Sequence, residues 1–429
     1  MMAQGHQESL ALFRPRPIDT SIEKIEYVEY RPVSVINRNN VIEFNIDGNS
    51  SCYIDLRSTK LYVKARILHK NGSPVSEDDK VAFVNFTLSS LFKQCNVSFQ
   101  QKLISSCLST HYAFHGALNT LLNFSEDAKE SHLQTQMYYK DTAGYMDSID
   151  PGVGGNMGLA QRWGLTKNGK CVDMEGPIHI PIMQQGRFLL NGVQLNIKLF
   201  PSSDAFALMA SEDNYKVDIV DSKLKVCFVK VNDDIILSQD VVLKTTPALY
   251  PYTSSNIKSY SIPKGTQTWA IDNVFLNDVP DKVYVALTSS EAFSGHIKKN
   301  PFNFQHMNVR LLGFDVNGRS QPSVPFTPHY EDSNYIEPYL SLFNATGRYQ
   351  QDTGNYIGKE EYPNGYCIYA FDLSCTHTDV FSNKAQKGHT RLNIQFEHGL
   401  NETVTAIIYG QFPALMKIDH SRNVYIEEQ

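Results

Sequence analysis

Long apolar runs are missing from this chain: none approaches the ~18 consecutive residues that a membrane-spanning helix needs. The first twenty residues, MMAQGHQESLALFRPRPIDT, also lack the basic start and apolar stretch of a secretory signal, so a product kept inside the cell that makes it is expected. No CxxC pair occurs among the seven cysteines, Cys52, Cys95, Cys107, Cys171, Cys227, Cys367 and Cys375. An odd number without paired spacing reads as buried or free thiols in a reducing compartment. Asn-x-Ser/Thr sequons such as Asn96-Val97-Ser98 and Asn344-Ala345-Thr346 are then read as chance. Basic excess is absent too: the formal charge is −6, which argues against a protein that coats DNA through a basic face. Tryptophan is scarce, with Trp163 and Trp269 standing against 23 Tyr and 23 Phe. That balance suits pleated sheets and disfavours a sugar-stacking groove.

What is present is alternation. In KLYVKARIL (60–68), Leu61, Val63, Ala65 and Ile67 share one face, with Tyr62, Lys64 and Arg66 on the other. VQLNIKLF (193–200), KLKVCFVKV (223–231), KVYVALTS (282–289), RLNIQFE (391–397) and TVTAIIYGQF (403–412) behave alike. This period of two predicts antiparallel strands with one buried face. Helical patterns are few. HYAFHGALNTLLNF (111–124) sets Ala113, Leu118, Leu121 and Leu122 on one side, and YIEPYLSLFNAT (335–346) is a second candidate. Long stretches at 147–171, 319–334 and 347–366 read as loops, of the length that usually serves function or partners. The tripeptide Leu-Asn-Ile occurs at 195–197 and again at 392–394, about half the chain apart, which carries little weight alone. It agrees with the length: 429 residues exceed what one core of roughly 250–300 residues fills, so two β-domains are expected, divided where VNDDIILSQD turns polar.

Candidate chemistry is thin. His111 and His115 stand four apart on the best helix, a spacing open to a metal. Tyr112 stands where a zincin has its Glu and no third ligand is evident, so two polar-face or capping histidines are expected. PGVGGNMG (151–158) lacks the Gly-Lys-Ser/Thr of a phosphate loop and reads as mobile surface. No G-x-S-x-G elbow occurs. The acidic pairs Asp78-Asp79, Glu360-Glu361 and Glu427-Glu428 look like solvated charge rather than a glycosidase dyad. The segment 126–148, polar with scattered Tyr, reads either as surface loop and short helix or as a subunit contact. No catalytic, cofactor-binding or metal residue is assigned.

The stretch NPFNFQHMNVRLLGFDVNG (300–318) tempts with His306 and Asp315. Met307, Val309 and Leu311 share one face, then the phase slips to Leu312, Phe314 and Val316 with Gly313 at the slip. A glycine at a phase slip predicts a β-bulge, and Asn317-Gly318 predicts a hairpin turn. His306 is then one polar position in a wall strand.

The segments VEYRPVSVINRNNVIEFNIDGNSSCYIDLRSTKLYVKARI (28–67), SSLFKQCNVSFQQKLIS (89–105), YYKDTAGYMDS (138–148), KNPFNFQHMNVRLLGFDVNGRSQP (299–322) and YAFDLS (369–374) follow in order. Together they resemble the hexon-type major capsid protein of Polinton/Maverick elements and adintoviruses, over nearly the whole chain after residue 20. The resemblance implies an all-β double jelly roll: two eight-stranded sandwiches with a few short helices and long loops. The expected organisation is a flexible N-terminal arm (1–20), a first jelly roll (21–235) and a second (236–429). It further implies a non-enzymatic, virion-located protein without cofactors. Homotrimers of pseudo-hexagonal outline would tile an icosahedral shell around double-stranded DNA, meeting neighbouring trimers and a penton-type minor capsid protein. Arg14 and Arg16 of the arm are weak candidates for contact with packaged DNA. The alternatives are a carbohydrate-binding or hydrolytic β-sandwich, or a domesticated capsid-derived interaction protein.

Overall fold

The computed structural model describes residues 19–36, 40–104, 111–374 and 386–428. Most of the expected arm, with Arg14 and Arg16, lies outside the described residues, as do Cys107 and Cys375.

The alternating segments are strands. The first eight are β1 (Ile22–Tyr30), β2 (Ile42–Ile46), β3 (Cys52–His69), β4 (Phe92–Phe99), β5 (Lys102–Leu103), β6 (Val172–Pro177), β7 (Leu195–Pro201) and β8 (Tyr215–Val231). They form two antiparallel sheets in the orders β1-β8-β3-β6 and β2-β7-β4-β5. The next eight are β9 (Ala248–Ile262), β10 (Thr268–Asp272), β11 (Lys282–Ser289), β12 (Val309–Val316), β13 (Arg319–Phe326), β14 (Ile368–Asp372), β15 (Thr390–Phe396) and β16 (Val404–Ile418). Their sheets run β9-β16-β11-β14 and β10-β15-β12-β13, with β17 (Val424–Glu428) added beside β16. Counted within each set, both sandwiches read 1-8-3-6 and 2-7-4-5. This is the jelly-roll order, made twice.

The sandwiches close because each strand buries every second side chain. Leu61, Val63, Ala65 and Ile67 of β3 are buried as their alternation requires, and they join Phe44, Val97, Leu195 and Val226 in one core. Val285, Leu312, Phe314, Ile394 and Ile408 occupy the matching places in the second. The two Leu-Asn-Ile tripeptides fall on β7 and β15, the seventh strand of each set. Leu195 stands opposite Phe99 and Ile46, and Leu392 opposite Phe314 and Ile271. The echo marks equivalent strands.

The bend at Gly313 is present as a register shift between Leu312 and Phe314 against β13. Asn317 (φ 52°) and Gly318 (φ 77°) make the turn into β13, two left-handed residues in a row as a type I′ hairpin requires. The start of the strand differs from expectation. Met307 (φ 48°) and Asn308 (φ 50°) form a turn, so β12 begins at Val309 and His306 precedes it.

Four helices of ten or more residues are described: α1 (Tyr112–Asn123), α2 (Met157–Thr166), α3 (Asp233–Leu243) and α4 (Ile336–Ala345). α1 and α4 lie where periodicity placed them. α2 falls in the stretch 147–171 read as loop, and β13 in the stretch 319–334. α3 replaces the polar break at VNDDIILSQD, so residues 235 and 236 lie inside a helix linking β8 to β9. The helix signals were local and easily passed over: Asn156 and Asn232 cap α2 and α3, and Asp233 and Asp234 occupy the first turn of α3.

Candidate functional site at the seam between the sandwiches

α1 was expected to show one apolar side, yet every residue from Tyr112 to Leu122 is buried. The helix is wedged between the sandwiches. Tyr112 joins the first core, whereas Ala113, Phe114, Leu118 and Leu121 join the second. Gly116 permits the fit: a Cβ there would lie 2.7 Å from the Cβ of Ser89. Phe114 gathers rings from both halves, stacking on Phe293 at 5.1 Å and meeting Phe302 at 5.5 Å and Phe206 at 5.8 Å edge-on.

Both histidines are buried: His111 holds the N-cap position of α1, one of the two places expected, without a side-chain capping bond, and His115 faces the interior rather than a wet face. Nε2 of His111 lies 3.1 Å from Oγ of Ser259, and Nε2 of His115 lies 2.8 Å from Oγ of Ser255. Both serines belong to β9, so the i, i+4 spacing matches the two-residue repeat of a strand of the second sandwich. A third buried ring, His179, accepts at Nδ1 from Asn119 Nδ2 (3.2 Å) and faces Gln136 Oε1 through Nε2 (3.1 Å). Those partners fit a neutral ring with its proton on Nε2. Burial pushes all three down, to about 4 for His111, about 3 for His115 and about 4 for His179.

The polar hub of the seam is an ion pair that the sequence did not reveal. Arg162, fully buried on α2, donates from Nε to Phe83 O (2.8 Å), from Nη1 to Tyr139 O (2.7 Å) and from Nη2 to Asp141 Oδ1 (2.7 Å). The other carboxylate oxygen of Asp141 accepts from Asn300 Nδ2 (3.0 Å), and its carbonyl accepts from Tyr366 OH (2.6 Å). One pair thus ties Phe83, Tyr139 and α2 to the loop before β12 and the approach to β14. Nearby, Lys129 donates to Leu121 O (3.2 Å) and Asn355 O (2.7 Å) and is pushed down to about 7, chiefly by burial. Lys140 bridges Tyr356 O (2.8 Å) and Glu361 Oε2 (2.6 Å). The segment 126–148 holds the expected short helix, Glu126–Lys129, on the surface, but much of the rest packs inward: Leu133, Gln136, Met137, Tyr138, Asp141 and Met146 are all buried. Nor are Asp79 and Glu361 free solvated charge. Asp79 accepts from Ser76 N (2.7 Å) and Tyr215 OH (2.9 Å), and its carbonyl from Trp163 Nε1 (3.0 Å).

Among the described residues no group of three His, Cys, Asp or Glu could hold a metal, and no helix is long and apolar enough to cross a membrane. A polar cavity of about 760 Å³ at one end of the second sandwich contains His306, His398, Asp147 and Glu402. Its carboxylates are engaged: Asp147 accepts from Asn300 N and Asn303 Nδ2, each at 2.7 Å, and Glu402 from Lys299 (2.8 Å) and Ser289 (3.0 Å). His306 stacks on Tyr330 with ring centres 4.1 Å apart, and its Nδ1 accepts from Asn308 N at 3.0 Å. Asp315 stands opposite Arg391 and Ser320 beside the turn.

The outer surface is where unused binding capacity lies. β1 heads its sheet order, so one edge of its backbone has no ladder partner among the described residues. It shows Ile25 (57% exposed) and Tyr27 (52%) to solvent. α3 shows Leu237 (64%) and Val241 (63%). Open edges and apolar faces of this kind are association surfaces.

A chain made of two complete eight-stranded jelly rolls, joined by a buried seam, has the fold of the double jelly-roll major capsid proteins. No protein-family model matches it. An uncharacterized protein of Caenorhabditis elegans is 24% identical over 406 residues, spanning 90% of this chain and 93% of that one. Among solved structures, a chain of the Sputnik virophage aligns over 100% of this chain and 93% of its own, with TM-score 0.60 and 13% identity. PBCV-1 VP54 aligns over 98% of this chain and 100% of its own (TM-score 0.59, 9% identity). The mavirus major capsid protein aligns over 100% and 96% (TM-score 0.52, 10% identity). At such identities the likeness is one of fold.

Proposed function

We propose that this chain is a structural capsid protein that assembles as a homotrimer. The observation that carries the proposal is the doubled strand order: two jelly rolls side by side give one chain two similar walls, and three such chains give six around a ring. That full-length likeness to capsid chains, with no assembled catalytic group among the described residues, supports a shell tile over a carbohydrate-binding or hydrolytic sandwich. In this proposal the units are an arm (1–20) and two jelly rolls (21–235 and 236–429), trimers meet neighbouring trimers and a penton-type minor capsid protein, and the shell encloses double-stranded DNA in a virion. The lineage is that of Polinton/Maverick elements and adintoviruses, which the full-length relative in an animal supports. The same relative favours a second reading, a capsid-derived protein retained by an animal genome for another role.

Negative-stain microscopy of the purified full-length protein separates these. Hexagonal outlines or closed shells are expected. Single-chain particles under every assembly condition tried would leave the fold but remove the function.

A further inference from the structure

The loop between α4 and β14 is lashed to its surroundings carbonyl by carbonyl. Arg348 Nη1 donates to Gly354 O (2.9 Å), Lys129 Nζ to Asn355 O (2.7 Å), Lys140 Nζ to Tyr356 O (2.8 Å) and Tyr339 OH to Ile357 O (3.0 Å). Lys129 and Lys140 lie in the chain between β5 and β6 of the first sandwich, so their two bonds cross the seam. One group in this lattice has no place. Asn355 is 0% exposed, yet neither Oδ1 nor Nδ2 has a hydrogen-bond partner among the described residues. A buried carboxamide unpaired at both ends is costly and calls for an explanation.

The lysine on its carbonyl is as unusual. Lys129 is 1% exposed, and its hydrogen bonds end on two carbonyls, Leu121 O (3.2 Å) and Asn355 O. Glu361, the carboxylate at hand, is taken by Lys140 (2.6 Å). Burial first, and then the neighbouring cations Lys140 and Arg348, lower the Lys129 pKa to about 7, so about half of the amine is uncharged at neutral pH. A buried, uncharged lysine is a nucleophile, and this one touches the residue that carries the unpaired carboxamide. Arg348 and Lys140 bond to the carbonyls on either side of Asn355. Positive charge thus flanks the place where an oxyanion would develop on Oδ1.

We propose that Lys129 and Asn355 join in an isopeptide bond that ties the two sandwiches covalently. Nζ of the free amine attacks Cγ of Asn355. That carbon belongs to the same residue as the carbonyl Nζ already contacts, so side-chain rotation closes the gap without moving the backbone. The Nζ–Cγ bond forms, a proton passes from Nζ to Nδ2, the Cγ–Nδ2 bond breaks and one ammonia leaves. Cγ stays at the oxidation level of an amide, so no oxidant or reductant is consumed. The product removes the unpaired Nδ2 and the buried amine together, and it closes a loop between positions 226 apart in the chain. It does not depend on assembly into a shell.

The intact mass of the purified full-length protein tests this. The chain should be lighter than its sequence by one ammonia. A tryptic digest should contain a branched peptide that joins the segments around Lys129 and Asn355 and is uncleaved after Lys129. Lys129→Arg and, separately, Asn355→Ala should each carry the full mass of their own sequence and give only linear peptides. In boiled denaturing gels the natural chain, closed into a loop, should migrate differently from both variants. A natural chain of full sequence mass, cleaved normally after Lys129, would overturn the proposal, and that result needs no variant to fold. An ammonia deficit that persists in Lys129→Arg, as a succinimide at another asparagine would give, would overturn it as well.

Discussion

Asp141 and Arg162 show what single residues do in this molecule. Both are buried, and every guanidinium nitrogen has a named acceptor. Removing one member leaves the other charged and unpaired, which costs about 3–5 kcal/mol. Arg162→Met should lower the urea midpoint accordingly without changing the strand content by circular dichroism, whereas replacing both members together should cost less than either alone. The buried histidines make a second prediction, with a sign. Their folded pKa values, about 4, about 3 and about 4, lie below the ordinary 6.5. Between pH 6.5 and 4 the unfolded chain binds protons that the folded chain excludes, so stability falls as pH falls through that window. The loss reaches roughly 3 kcal/mol for each ring. Urea midpoints measured from pH 8 to pH 4 should drop steeply below 6.5, and His111→Gln should flatten part of that slope. None of this was legible beforehand. Two histidines four apart on a helix read as polar-face or capping residues, and the serines they meet, Ser255 and Ser259, lie on a strand 140 and 148 residues away.

At the level of elements, legibility followed burial geometry. Strands with one wet face, such as β3 and β7, announce themselves by alternation, and the bulge at Gly313 and the turn at Asn317-Gly318 were visible because each needs a particular residue. Gly318→Val should cost about 1–2 kcal/mol, since a β-branched residue is strained at φ 77°, and the midpoint shift in urea checks it. Elements buried on all sides were harder. α1 was recognised as a helix, but not as a wedge, because His115, Asn119 and Asn123 at helical spacing read as a wet face, whereas His115 and Asn119 are buried against Ser255 and His179. Leu121→Ala on α1 should therefore cost about 2–5 kcal/mol, the range of a core cavity, where a surface leucine would cost little. α2 and β13 were read as loops because glycine and proline nearby outweighed their short patterns; the packing of Arg162 and the pairing of β13 with β12 decide those segments from a distance.

For the whole molecule, the doubled 1-8-3-6 and 2-7-4-5 order is the fact from which the capsid proposal follows, and half of it was foreshadowed by a tripeptide repeated on equivalent strands. The seam holds two sandwiches on one linker together: α1, the Asp141–Arg162 pair, His111 and His115 join them with side chains drawn from both. Among the described residues β1 has no ladder partner on one side, and Ile25 and Tyr27 on it are exposed. The most direct measurement is the mass of the purified full-length protein by light scattering coupled to size exclusion. The account predicts a species three times the 48.5 kDa chain mass, reduced toward one chain by Ile25→Asp with Tyr27→Asp. A single-chain mass at every concentration, salt and pH at which the fold persists would contradict it.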